Sequence, residues 1–364
     1  QGMNHSMRLS LVTSCLGPLL AFFIGTLWFL WPVLLRLQRI PQVSVAPEDK
    51  DKDALRLGLL GASFIARMAV VHPAQKRQDV QVTAVAARSR EKAKRYAESH
   101  GIPLFIGGAM AYDDLLALED VDAVYVGLPT ELHVHWTLKA LKAGKHVLLE
   151  KPAVLSTDEA DEILRMMTKT GKVVFEGAHH RYHPIARRFR ELMSQDVEMS
   201  IGSTKANFFE VRFSMLDPPS LLRSMMDTLG LGSEVNSEEK RHERIKNLDR
   251  WWYCVDMLLW STNATGAEVV AASEKRFSLT ATLKLQLPRA HTAVASLVMA
   301  RDSWKEPFSW RISAGEKSSN DEINGLRLQN FGFPFLWHRL EHLRDGQSFS
   351  EQLYGGGETT FEHQ

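Results

Sequence analysis

The chain has 364 residues, 45% of them apolar and 24% charged, enough for about two domains with buried cores and unlike a disordered, collagen-like or miniprotein chain. Lys plus Arg number 44 and Asp plus Glu 43, so a formal charge of +1 gives no overall field to gather nucleic acid, and no nucleic-acid partner is expected. The two cysteines, Cys15 and Cys254, support neither a disulfide framework nor a cysteine zinc site.

Residues 1–8 read as a tail. From Leu9 to Leu35 no residue is charged, and at ~1.5 Å per residue the run exceeds the ~30 Å hydrocarbon layer of a bilayer. The expectation is an N-terminal transmembrane helix over 9–35, with Trp28 and Trp31 at an interface and Arg36 and Arg39 ending the run. Such an anchor makes a single-pass membrane protein, and the small excess of flanking arginine after the span puts the main body in the cytosol. The rival is a cleaved secretory leader, for which Ser44-Val45-Ala46 offers a small-residue cleavage site and a secreted or lumenal product. Residues 36–54, with Pro47 and alternating charges from Glu48 to Asp53, read as a polar linker.

From Leu55 strand and helix patterns alternate, as a parallel sheet requires. Residues 55–60 are a short apolar strand. Gly61, Ala62, Ser63, Phe64, Ile65 and Ala66 then form a small-residue turn into a helix carrying Met68, Ala69 and Val71. In such a turn the backbone approaches a pyrophosphate, whose charge is met by the exposed amides of the helix start. Ser63 stands where the usual fingerprint has its second glycine, and similar turns open α/β domains that bind no nucleotide. The second strand, residues 80–87, ends without an acid. Arg88, Ser89 and Arg90 follow instead, groups suited to the extra phosphate of NADP, whereas Asp or Glu there would hold the ribose of NAD. The alternative is a solvated start to the helix 91–99.

The alternation continues through a helix at 112–118 and a strand at 121–127. The turn Leu128-Pro129 then opens a helix that carries His133 and runs to Gly144. The strand 146–149 ends in Glu150-Lys151-Pro152, which puts Lys151 outside a strand's carboxyl end, the side on which open parallel sheets bind ligands.

Three stretches together carry a resemblance: the turn 58–66, Leu128-Pro129-Thr130-Glu131-Leu132-His133, and Ala143-Gly144-Lys145-His146-Val147-Leu148-Leu149-Glu150-Lys151-Pro152. They resemble the Gfo/Idh/MocA oxidoreductases, and within them the dimeric dihydrodiol dehydrogenases and NADP-dependent D-xylose 1-dehydrogenases, from roughly Leu55 to the chain's end. The resemblance implies an α/β Rossmann-like dinucleotide-binding domain, set at 55–175, followed by an α+β substrate and dimerisation domain, 176–364, with a large, mostly antiparallel sheet. It implies NADP held by the 61–66 turn, Arg88, Ser89, Arg90, Leu128, Pro129, His133, Glu150 and Lys151. It also implies a cis Lys151–Pro152 bond and a Lys151 that holds the substrate hydroxyl near the nicotinamide. A lysine there favours the anionic form of a nearby phenol or alkoxide.

The same resemblance places His179, His180, Arg181 and Tyr182 on the substrate wall, with interdomain hydrogen bonding as the alternative for each histidine. Three histidines in five residues raise the question of a metal, but neighbouring strand residues alternate faces and no Cys or paired acid completes a set of ligands, so none is expected. The family's Asp-x-Gly-x-Tyr element is matched by Asp249-Arg250-Trp251-Trp252-Tyr253, which implies Tyr253 as general acid/base and Asp249 as an orienting group. Core packing is the alternative for this aromatic cluster. Trp251 stands in place of a family glycine, and the charged run 234–246 before it reads as an insert that either loops into solvent or derives from retained non-coding sequence.

Residues 277–287, 291–299 and 308–314 have strand composition. The segment from Tyr354 to Gln364 resembles the family's run into a final helix that this chain does not contain. The expected function is NADP-dependent hydride transfer to or from a small polyhydroxylated substrate, an aldose such as D-xylose going to its lactone or a trans-dihydrodiol to a catechol. Reduction of a sugar ketone by the same machinery and a tethered NADP-binding protein without catalysis are the alternatives. A homodimer follows from the resemblance alone.

Overall fold

The computed structural model describes residues 50–195, 208–215, 237–275, 278–288, 292–300, 308–317, 323–331, 338–344 and 347–351. Val45–Gln364 form one compact unit, and Gln1–Ser44 another, which lies outside the described residues. The expectation of a single-pass membrane protein is corrected: among the described residues no helix is long and apolar enough to cross a membrane. The segment 9–35, on which that expectation rested, lies outside them, as do Gly230 to Ser233 and the chain's last residues from Gln352.

The first half of the unit is a six-stranded sheet: β1 Leu55–Leu60, β2 Val80–Ala87, β3 Leu104–Gly107, β4 Ala123–Val126, β5 His146–Leu149 and β6 Val174–Glu176. All neighbours are parallel, in the order β3-β2-β1-β4-β5-β6. Successive strand residues feed two separate cores. Leu60, Ala84, Ala86, Val124 and Val126 face one side, and Leu57, Leu59, Val85, Ala87 and Tyr125 the other. Both faces are therefore covered by helices, which explains why these strands are continuous apolar runs rather than alternating ones. The helices are α1 (64–75), α2 Arg90–His100, α3 Ala111–Leu116, α4 His133–Lys142 and α5 Thr157–Thr170. Ser89 and Ser156 cap α2 and α5 by accepting the amides of Lys92 and Glu159, each satisfying a donor the helix start leaves open. The four-residue β3, hidden behind Pro103, carries too short a pattern to read from sequence.

The second half is an eight-stranded sheet in the order β14-β13-β12-β11-β7-β10-β9-β8. Its strands are β7 Phe208–Met215, β8 Gly266–Lys275, β9 Ser278–Gln286, β10 Thr292–Ala300, β11 Phe308–Lys317, β12 Ile323–Gln329, β13 Arg339–Arg344 and β14 Gln347–Glu351. Only the β7–β10 pair is parallel. One face packs on α6 Pro184–Gln195 and α7 Ser237–Thr262, with Phe189, Met257 and Leu258 set against Phe209, Val211, Phe213 and Ile312.

The expected insert is where sequence and structure part. Residues 237–246 do not loop out; they are the first turns of α7, continuous with the segment that carries Asp249 and Tyr253. The run 234–246 contains no Gly or Pro and is rich in Glu, Lys and Arg, so high charge here marks a helix former rather than a loop. Trp251 consequently sits inside a helix, packed against the second core, where its bulk needs no glycine's freedom.

Candidate active site

Because the first sheet is all parallel, the turns after β1, β2, β4, β5 and β6 open on one edge, and the crevice of such a sheet lies where the strand order reverses, between β1 and β4. Two glycines make that crevice. Gly61 has φ +106°, a region L side chains rarely adopt, and a Cβ there would lie 3.1 Å from Leu128 Cδ2 and 3.2 Å from the Gly127 carbonyl oxygen. A Cβ on Gly127 would overlap the Tyr125 ring at 2.4 Å and approach Ser63 Oγ to 3.2 Å. The Ser63 hydroxyl accepts the Ala66 amide at 3.1 Å, so Ser63 caps α1 in the position where the fingerprint has glycine. Ala62 and Ala66 are buried in the sheet core, while Ile65 is half-buried and Phe64 stands 69% exposed.

Arg88, Ser89 and Arg90 are exposed at the end of β2, with the Arg90 guanidinium 5.3 Å over the Phe105 ring. Leu128 is half-buried and Pro129 exposed beside the Gly61 turn. His133 is fully enclosed, Nδ1 3.0 Å from the Pro152 carbonyl and Nε2 2.8 Å from the Leu128 carbonyl. Its ring clamps two turns together and has no nitrogen left for a ligand. Glu150 accepts the Tyr125 hydroxyl at 2.7 Å and the Lys151 amide at 3.2 Å; burial pushes its carboxyl up, against the opposing pull of those partners.

Lys151 lies in the turn after β5, and the Lys151–Pro152 bond is cis. There Nζ lies 4.7 Å from the centre of the Tyr253 ring. Tyr253, 4% exposed on α7, shares a 2.7 Å hydrogen bond between its hydroxyl and His179 Nε2, and His179 is 3% exposed. His179 belongs to the 3-10 turn His179–Tyr182 after β6. Burial, then His180 and Lys151, hold its imidazole well below the ordinary value, so the ring is neutral.

A half-buried ion pair adjoins this contact. Asp256, one turn beyond Tyr253 on α7, takes both arms of the Arg181 guanidinium, Nε at 2.8 Å and Nη2 closer still. His180 Nε2 is 3.0 Å from Asp256 Oδ2, outside hydrogen-bond geometry, and His180 Nδ1 has no hydrogen-bond partner among the described residues. Burial alone would raise the Asp256 carboxyl; His180 and Arg181 outweigh it and hold the group ionised. Glu176, accepting the Ala153 amide at 2.8 Å, is pushed up by burial. Trp252, Tyr253, Phe331 and His179 enclose His180 with ring centres 5.4 to 6.1 Å away.

Of the expected substrate wall, His179, His180 and Arg181 meet at Tyr253 and Asp256, whereas Tyr182 turns to Phe175 and Arg187. Asp249 lies one helical turn before Tyr253; its side chain is outside the described residues. Among the described residues no group of His, Cys, Asp and Glu is arranged to hold a metal. Asp256 and Glu176 were not expected in the site. The three-residue spacing from Tyr253, which puts Asp256 on the same helix face, was the available signal.

Residues 55–178 match the family model described as an oxidoreductase family with an NAD-binding Rossmann fold. They are a Gfo/Idh/MocA-family domain. Relatives of the domain include D-xylose 1-dehydrogenase (NADP(+)) 2 of Haloferax volcanii, 33% identical over 42% of this chain and 46% of that protein. Trans-1,2-dihydrobenzene-1,2-diol dehydrogenase of Xenopus tropicalis is likewise 33% identical, over 36% of this chain and 38% of its own length. The chain spans about half the length of the curated relatives it matches. A solved 3-ketoreductase from Actinomadura kijaniata, in complex with NADP and TDP-benzene, superposes with a TM-score of 0.63 over 85% of this chain and 87% of its own, and at 23% identity the likeness is one of fold.

Proposed function

We propose that this protein is an NADP-dependent dehydrogenase that moves a hydride between the nicotinamide and a small polyhydroxylated substrate. The observation that carries the reading is the meeting of Lys151 and Tyr253, which come from opposite halves of the unit and put an ammonium over a phenol ring. The residues fit the cofactor: Gly61 and Gly127 let the turns after β1 and β4 pack closely, since a Cβ at either would meet Leu128, the Gly127 carbonyl or the Tyr125 ring, and exposed Arg88, Ser89 and Arg90 suit a 2′-phosphate. When bound, NADP accepts or supplies the hydride. Tyr253 exchanges the proton of the reacting oxygen, and Lys151 steadies negative charge on the phenol and the substrate.

The substrate class is an aldose oxidised at its anomeric carbon, as the xylose dehydrogenase relative suggests, or a trans-dihydrodiol. Reduction of a sugar ketone is the second reading; the same phenol then donates its proton, and the fold is shared with a 3-ketoreductase. A homodimer through the open face of the eight-stranded sheet, where Val294 is 48% exposed, belongs to the same proposal, and sedimentation at two concentrations tests it. The activity is tested by following reduced-nicotinamide absorbance with NADP and with NAD against pentoses, dihydrodiols and, in reverse, ketosugars. Turnover lost in both Lys151→Ala and Tyr253→Phe supports the reading, and turnover retained in either counts against it.

A further inference from the structure

We infer that His179 is a positioning residue for Tyr253, its Nε2–H donating to the phenol oxygen so that the phenolate is held ready to take the substrate's hydroxyl proton. The inference rests on the reading of Tyr253 as the proton-exchanging group and adds a residue that this reading does not need.

The 2.7 Å contact between His179 Nε2 and the Tyr253 hydroxyl joins two residues that are 3% and 4% exposed, so water competes little for it. The ring is braced. His180 packs edge-on against it at 6.0 Å, and behind His180 stand Asp256 and Arg181. Charged and titratable groups facing the His179–Tyr253 pair include Lys151 from the turn after β5 and His180 from its own turn; beyond His180 stand Asp256 of α7 and Arg181, with Glu176 of β6 in range of those two. An imidazolium beside Lys151 would meet repulsion and lose its water, whereas a neutral ring carries one N–H, and with that proton on Nε2 it faces the phenol oxygen. The donor therefore stabilises the phenolate without adding a charge, and Lys151, over the ring face, supplies the charge.

The proton and electron account closes. In oxidation the substrate O–H breaks as its proton passes to the Tyr253 phenolate and a C=O forms, the carbon giving up the hydride that a bound nicotinamide would accept. In reduction the phenol returns the proton, and the imidazole N–H meets the phenolate left behind.

Ultraviolet titration of tyrosinate in cofactor-free protein, taken as wild type minus Tyr253→Phe, isolates the ionisation of this phenol. His179→Phe removes the donor and is expected to raise the midpoint by about one unit, the tenfold worth of roughly one hydrogen bond. His179→Gln keeps an N–H at similar reach and is expected to hold most of the wild-type midpoint. In turnover the rising limb of the kcat profile moves up by the same amount in His179→Phe, with KM unchanged within about twofold. If His179→Phe does not fold, His179→Met, also without a donor, carries the same comparison. An unmoved midpoint without the donor overturns the inference, and so does a Gln variant that titrates like the variant lacking it. A wild-type protein that oxidises and reduces nothing in the panel sinks the proposed function and leaves this titration to stand or fall by itself.

Discussion

Tyr253 is fixed by a hydrogen bond at its hydroxyl, an ammonium over its ring and packing against Trp310 and Trp252. Removing only its oxygen leaves that packing intact, so Tyr253→Phe is expected to fold normally and to lose about 10²-fold or more in kcat, the range for a positioned proton-transfer group. A melting temperature that falls together with the rate would instead mark the phenol as structural. The neighbouring histidines make a pH prediction. Both imidazoles are depressed from their ordinary 6.5 by burial, so unfolding below that pH takes up protons that the folded state refuses. The stability they carry is present above about pH 6.5 and is lost as pH falls below it, and denaturant midpoints at about pH 8 and 5.5 measure the loss. A flat profile would contradict the neutral, buried placement. At this scale the sequence was legible in Lys151, whose position past a strand and before a proline needs no tertiary contact to recognise. It was not legible for His179, because a histidine facing substrate and one bonded to a distant phenol have the same sequence.

The turn after β1 and the helix α7 carry the site at the level of elements. Gly61→Val puts a branched side chain at φ +106° and against Leu128 and the Gly127 carbonyl; it is expected to destabilise the fold by ~1–3 kcal/mol and to weaken NADP binding, read by calorimetry on the folded variant. On α7, Asp256→Asn leaves the Arg181 guanidinium with a neutral partner. A loss of ~2 kcal/mol or more in denaturant unfolding is expected, since breaking one side of a paired charge strands the other. An unchanged midpoint would make this pair a bystander. The strands 80–87 and 146–149 could be read residue for residue because short runs rich in Val, Leu and Ala, bounded by polar turns, mark strands of a covered sheet. The charged start of α7 could not, because charge tells of solvent and helix alike, and only the absence of Gly and Pro leaned toward helix.

Over the whole molecule, one six-stranded parallel sheet and one eight-stranded, mostly antiparallel sheet lie in a single compact unit, and the proposed chemistry belongs to both. A ligand that binds only the folded state raises its stability, by ~2.7 kcal/mol at a hundredfold excess over Kd, so NADP is expected to raise the melting temperature and NAD to raise it less at equal concentration. Arg88→Glu should narrow or reverse that difference, and an unaltered preference would remove the basic turn after β2 from cofactor choice. The sequence by itself determined the alternation of strand and helix, the glycine turn and the end of β5 just before Lys151, because each is written in neighbouring residues and in the period of apolar side chains. Only the tertiary structure decided that Lys151 lies over Tyr253, that His179 takes its hydroxyl, and that Asp256 anchors Arg181. Those pairs join residues from separate elements, and what brings them together is the packing of α7 between the second sheet and the turns after β5 and β6, which no local pattern encodes.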